Sequence, residues 1–258
     1  MEGGCNPDPR RVLLILLAGV AAGALNAIGG GGSFVALTAL VAAGMPPVTA
    51  NATTTVALLP GNATSAWVYR REFEALAHPS PARLTLASVC GGAIGAGLLL
   101  WLPSASFDAA VPWLLAFATV VLAFGRRLTA ALRLGQPGPA AVLAGQFALA
   151  IYGGYFGGAV GLMMLAFWTA TTSLDPARGN PLRVMQVAAV YLTAAVIFVF
   201  AADVLSQPIR LVALLAGAVV GGYFGAHVVR RLPPAVLRVL VLTTAIAMTA
   251  VFFVRAFG

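Results

Sequence analysis

The chain is a succession of apolar runs long enough to cross a lipid bilayer, and glycine interrupts two of them. Residues 29–32 are four consecutive glycines, and Gly157 and Gly158 break a second long run in the other half. About twenty apolar residues span the hydrocarbon core as a helix. Lipid offers no hydrogen-bond partners, so backbone that leaves the helix at that depth has to face protein or a water-filled cavity. These facts point to an all-α integral membrane protein whose irregular backbone is turned inward.

Reading apolar runs bounded by Pro, Gly or charge gives eight segments, at residues 12–44, 47–69, 83–102, 108–125, 139–174, 182–204, 209–229 and 234–256. The first and fifth are too long for a simple span. Each contains its glycine break, so each is either a helical hairpin that enters and returns or one span in two pieces. A further break is expected inside the second segment, at Pro60-Gly61-Asn62.

The halves resemble each other in register. Leu17-Ala18-Gly19 recurs as Leu143-Ala144-Gly145, Gly91-Gly92-Ala93-Ile94-Gly95-Ala96 recurs as Gly221-Gly222-Tyr223-Phe224-Gly225-Ala226, and Asn51 falls opposite Asn180, at offsets of 126 to 130 residues. Small-residue patterns recur by chance in packed membrane helices, but a nearly constant offset at several places favours duplication. The division expected is an N-terminal stub at 1–11, one membrane repeat at 12–133 and a second at 134–258.

All 15 basic side chains are arginines, against 7 acidic ones, and they sit at the ends of apolar runs, which argues for membrane topology and against nucleic-acid binding. Arg70, Arg71 and Arg83 share one loop and Arg126, Arg127 and Arg133 another; both are expected to be cytoplasmic. The clusters Arg178 with Arg183, and Arg230, Arg231 and Arg238, join them only if the fifth segment returns to the side from which it came. The fold expected is two inverted repeats of four apolar segments each, the first segment of each repeat broken or re-entrant at its glycines, with both termini outside. A spanning first segment with a cytoplasmic N-terminus is the rival arrangement. The chain is expected to be a multi-pass protein of the bacterial inner (plasma) membrane with the lipid bilayer as its surroundings, and a homo-oligomer is compatible with it.

The carboxylates Glu2, Asp8, Glu72, Glu74, Asp108, Asp175 and Asp203 all fall in tails, loops or segment ends. An intramembrane acid is the usual proton carrier or cation partner; none is expected at the midplane. No His, Cys or acid stands at metal-binding spacing, and no catalytic constellation lies within the bilayer, so neither a metal, a cofactor nor an enzymatic activity is expected. Neutral groups remain, among them Asn26, Asn51, Thr53, Thr54, Thr55, Asn62, Gln146 and Gln186.

A half-helix beginning after Gly32 presents free backbone N–H groups and the positive end of its dipole, an arrangement that favours an anion. Ser33 is the candidate cap. The substrate-binding set expected is Gly30, Gly31, Gly32, Ser33, Asn51, Thr53, Thr54, Gly157, Gly158, Asn180 and Gln186. The competing reading makes the glycines sites of tight helix crossing and the two asparagines helix N-caps. Arg183 is either an anion-attracting gate or a topology anchor.

Leu17-Ala18-Gly19, the glycine run, Gly44-Met45-Pro46 and Ala50-Asn51-Ala52-Thr53, followed in the second half by Tyr152-Gly153-Gly154, Gly157-Gly158 and Asn180, resemble the TauE/SafE sulfite exporter family, also called the toluene sulfonate uptake permease family. The resemblance covers nearly the whole chain. It implies a permease for small sulfur-containing or organic anions, such as sulfite, sulfoacetate or related sulfonates. The chain departs from the family pattern at Thr54, where many relatives carry Ser, and at Pro181-Leu182-Arg183, where a small-residue turn is more usual. The function expected is export of such an anion; a passive anion channel, or a permease for another small solute, is the alternative.

Overall fold

The computed structural model describes residues 9–28, 31–72, 79–132, 137–172, 174, 176–229 and 234–257. They form α1 (Pro9–Ile28), α2 (Gly32–Ala42), α3 (Pro47–Tyr69), α4 (Pro81–Trp101), α5 (Ser104–Leu132), α6 (Pro139–Tyr155), α7 (Val160–Thr171), α8 (Pro176–Ala201), a 3-10 turn at Asp203–Ser206, α9 (Pro208–Val229) and α10 (Pro234–Phe257). No strand occurs among the described residues. Five helical stretches are long and apolar enough to cross a membrane: Pro9–Ala27, Pro81–Trp101, Ser104–Val121, Arg178–Ala201 and Pro208–His227. The protein is a multi-pass membrane protein.

Seven of the ten described helices open on proline. The first-turn N–H has no intrahelical acceptor, so its loss costs little there, and the ring fixes a helical φ. The helices that start immediately after a glycine break, α2 and α7, open instead on Gly32-Ser33 and Val160-Gly161 and keep their first-turn N–H donors.

The long first and fifth segments are each two helices. The 11 residues of α2 and 12 of α7 rise about 17 and 18 Å, roughly half of a hydrocarbon core. Both fold back on the helix before them. Gly32 packs on the backbone of Ala22, and Gly145 of α6 lies against the ring of Phe167 of α7.

The break expected at Pro60-Gly61-Asn62 does not occur, because α3 runs unbroken from Pro47 to Tyr69 with Pro60 inside it. In water such a sequence is a turn; a packed membrane bundle tolerates proline within a helix. The Thr64 hydroxyl donates to the Pro60 carbonyl, and Ser65 donates to the Gly61 carbonyl at 2.9 Å and to the Gly222 carbonyl of α9 at 3.2 Å. Gly61 is there for contact, since a Cβ would stand 2.5 Å from the Ala218 carbonyl oxygen. Buried Asn51, Thr53, Thr54, Thr55 and Asn62 make α3 the most polar of the central helices, and α8 and α9 pack against it.

Most neighbour relations are paired, although among the described residues the contact of α3 with α5 has no counterpart of α8 with α10. α1 packs on α9 and α4 on α6; α3 packs on α9 and α8 on α4; α2 touches α10 and α7 touches α5; α3 meets α8, and α5 meets α10. Exchanging the first five helices for the last five leaves this set unchanged.

Candidate functional site at two facing helix breaks

The two interruptions meet. Ser33, in the first turn of α2, donates to the Gly157 carbonyl at 3.3 Å and lies 2.7 Å from the Tyr191 hydroxyl, which itself donates to the Gly157 carbonyl at 3.0 Å. Ser33 therefore does not cap its own helix as expected; its hydroxyl ties one break to the other. The capping role falls to Asn26, whose Oδ1 accepts the Gly32 N–H at 2.9 Å. Gly31 stands at the N-cap position, and Gly30 lies outside the described residues.

The second break is built from left-handed backbone. Gly157 has φ of 75°, which glycine adopts without steric penalty, and Ala159 has φ of 56° at a cost on the order of 1 kcal/mol. A Cβ on Gly158 would stand 2.5 Å from ring atoms of Phe34 and Phe156, so this glycine is where the aromatic walls of both breaks close in. Its carbonyl accepts the Tyr152 hydroxyl at 2.9 Å.

Asn51 and Asn180 are neither helix starts nor N-caps. Each is the fifth residue of a helix that begins with proline, α3 and α8 respectively. Each serves the frayed end of the opposite hairpin. Asn51 Nδ2 donates to the Tyr155 carbonyl, at the end of α6, at 3.0 Å. Asn180 works through Arg183: its Oδ1 accepts from Arg183 Nε at 2.8 Å and Nη2 at 2.6 Å, while Nη2 reaches the carbonyls of Asn26 and Ala27 near the end of α1, at 3.0 and 3.3 Å. Tyr155 and Asn26 are separated by the same 129 residues as Asn180 and Asn51.

Arg183 is only 1% exposed. That burial overturns the anchor alternative, since an anchoring arginine snorkels to the interface. Its other terminal nitrogen presses on α7: a Cβ on Gly161 would stand 2.8 Å from Nη1. Among the described residues no carboxylate pairs with it, and Glu72, Asp108 and Asp203 are exposed. A buried cation without a counter-charge is costly. Here carbonyl dipoles at a helix C-terminal end offset part of that cost.

Several buried polar atoms of α1 and α3 have no partner: Asn26 Nδ2, Thr53 Oγ1, Thr54 Oγ1 and Asn62 Nδ2. Together with Arg183 and the N-terminal turns of α2 and α7, they make the described residues of the site rich in donors, with no carboxylate among them, an arrangement that electrostatics favours for an anion over a cation. Gln186 does not join it. Its Oε1 accepts from Ser88 at 2.8 Å, its Nε2 donates to Thr85 at 3.1 Å, and Gln146 donates to the same Ser88 at 2.8 Å, so it belongs to a polar cluster across α4, α6 and α8. Sequence reading left Asn26 outside the binding set and passed over Gly161, Tyr155, Ala159 and Tyr191. The 129-residue spacing of Gly32 and Gly161 is the signal that pointed to the second of these.

The family model described as Sulfite exporter TauE/SafE matches residues 15–252. The chain belongs to the TauE/SafE family. Neither the curated proteins nor the solved structures contain a match. TauE/SafE proteins are membrane transporters and not enzymes, and in this TauE/SafE member the match takes in both breaks, Arg183 and all of α3 and α8.

Proposed function

We propose that this protein is a carrier for small sulfur-containing or organic oxyanions, such as sulfite or sulfoacetate, exporting them across the bacterial inner membrane. The single observation that carries this reading is the buried Arg183, bonded to the end of one hairpin and pressed on the start of the other, with no described carboxylate to neutralise it. An oxyanion beside Arg183 would gain a fork of guanidinium donors. The unpartnered Asn26 amide and the first-turn N–H groups of α2 and α7 would complete its shell, with Thr53 and Thr54 further along α3.

The paired neighbour relations support two inverted repeats, at 12–133 and 134–258, with the half-length α2 and α7 re-entering the membrane from opposite faces. Inverted repeats with broken helices are a recurrent carrier design, with the binding site at the repeat interface. With no acid among the described residues of the site, outward movement draws on the interior-negative potential, worth about 2.3 kcal/mol per charge per 100 mV. The contact of Ser33, Tyr191 and Gly157 between the breaks favours a carrier over an open pore. Purified protein in liposomes loaded with sulfite or sulfoacetate should show saturable flux and counterflow, accelerated by potential of the right sign. Flux that stays linear at high substrate, or no flux of either anion, would remove the reading.

A further inference from the structure

We infer that the pocket at the ends of α3 and α9 is a vestibule that captures the oxyanion and passes it to Arg183, with Tyr69 as the gate between them. The destination rests on the carrier reading above; the pocket and its selectivity do not. The cavity holds about 360 Å³ and is lined by Trp67, Arg70, Arg71, Glu72, Tyr223 and His227 among others. Among the described lining residues two arginines stand against one glutamate, a positive balance. The Arg70 guanidinium is held over the Trp67 ring, 4.0 Å from its centroid, and donates to the Trp67 carbonyl at 2.6 Å. Across the pocket the rings of Tyr223 and His227 lie 4.7 Å apart.

A small cluster separate from the main core holds Ala27, Tyr69, Val184 and Ala226. It brings sequence neighbours of the pocket residues against sequence neighbours of Arg183. Tyr69 stands one residue before Arg70, and Ala226 one before His227; Val184 follows Arg183, and Ala27 contributes a carbonyl to Arg183. This cluster is the layer proposed to separate the pocket from the guanidinium. Three of the four are small or β-branched, so the Tyr69 ring is the bulk of that layer, held by its hydroxyl donating to the Ala226 carbonyl at 3.4 Å. Lipid phosphates share the oxyanion chemistry that would fit the pocket, and the test has to separate the two sources.

The full chain carrying Cys5→Ser and Cys90→Ser, reconstituted in phosphatidylcholine vesicles, allows single cysteines to be probed with a sulfonate-bearing and a trimethylammonium-bearing methanethiosulfonate. With His227→Cys, rates normalised to a free thiol should favour the sulfonate reagent by roughly tenfold, and the pair Arg70→Gln and Arg71→Gln should abolish the preference. Equal rates in the parent would overturn the vestibule. A preference that disappears when half the lipid is phosphatidylglycerol would assign the pocket to a lipid headgroup and overturn it as well. With Val184→Cys the sulfonate reagent should react slowly, and roughly tenfold faster after Tyr69→Ala, with Tyr69→Leu intermediate as a check on folding. A Val184→Cys rate indifferent to Tyr69 would overturn the gate. None of these readouts contains a transport step, so they stand or fall separately from the flux measurements.

Discussion

The Ser33 hydroxyl donates to the Gly157 carbonyl at 3.3 Å across 124 residues of chain, and through this contact the two interrupted hairpins become one site. Tyr191 closes the triangle from α8. Tyr191→Phe removes a buried hydroxyl that serves both breaks. It should lower stability by about 1–2 kcal/mol, Ser33→Ala by about 1 kcal/mol, and the pair should be non-additive by at least 0.5 kcal/mol. Thermal unfolding of the four proteins in detergent, analysed as a double-mutant cycle, checks this; strict additivity would mean that the hydroxyls do not act together.

Arg183 should show the opposite relation between stability and function. Replacing a buried charge by an apolar residue of similar length is often neutral or stabilising, so Arg183→Met should keep or raise the melting temperature while abolishing anion flux. Arg183→Lys keeps the charge but loses the fork, and should recover less than about a tenth of the flux. A variant that loses 3 kcal/mol or more of stability and retains flux would make the residue structural.

Thr54 offers a test of ligand contact that leaves the fold alone. Its hydroxyl is buried without a partner, and a buried unsatisfied hydroxyl costs on the order of 1–3 kcal/mol. Thr54→Val should therefore be neutral or stabilising, and should reduce the thermal shift produced by sulfite or sulfoacetate. The same shift in both proteins would exclude Thr54 from the binding set.

Two glycine-to-alanine changes should differ in sign. At Gly161 the added Cβ would stand 2.8 Å from Arg183 Nη1, whereas at Gly97 in α4 nothing lies within 4 Å. Gly97→Ala should stabilise by up to about 1 kcal/mol through helix propensity and leave flux unchanged. Gly161→Ala should displace the guanidinium and lower flux at least tenfold. Parallel melting and flux measurements decide the comparison.

Much of this was legible before any coordinates. The all-helical membrane class, the two glycine breaks and the like positions of Asn51 and Asn180 in their helices follow from hydropathy and spacing, because lipid punishes unpaired backbone and leaves few alternatives. Of the expected spans, five helical stretches are long and apolar enough. What escaped depends on partners distant in sequence. Pro60 is a turn signal that α3 overrides where Gly61 packs on α9, which no local pattern reveals. Arg183 reads as either a gate or an interfacial anchor until the carbonyls of Asn26 and Ala27 are known to face it. Gln186 sits one turn further along α8, but the rotation of that turn points it at Ser88 and Thr85. Ala159 carries no sequence mark of its left-handed backbone.

The two breaks close on each other at a slender partition of three residues, Ser33, Tyr191 and Gly157, with Asn51 and the Tyr155 carbonyl beside the second break and Asn26 and Arg183 beside the first. Much of the transmembrane electric field would drop across that partition. A solute carried over it would traverse most of the field in a movement of a few ångströms, so a small rearrangement suffices to couple the voltage to the cargo.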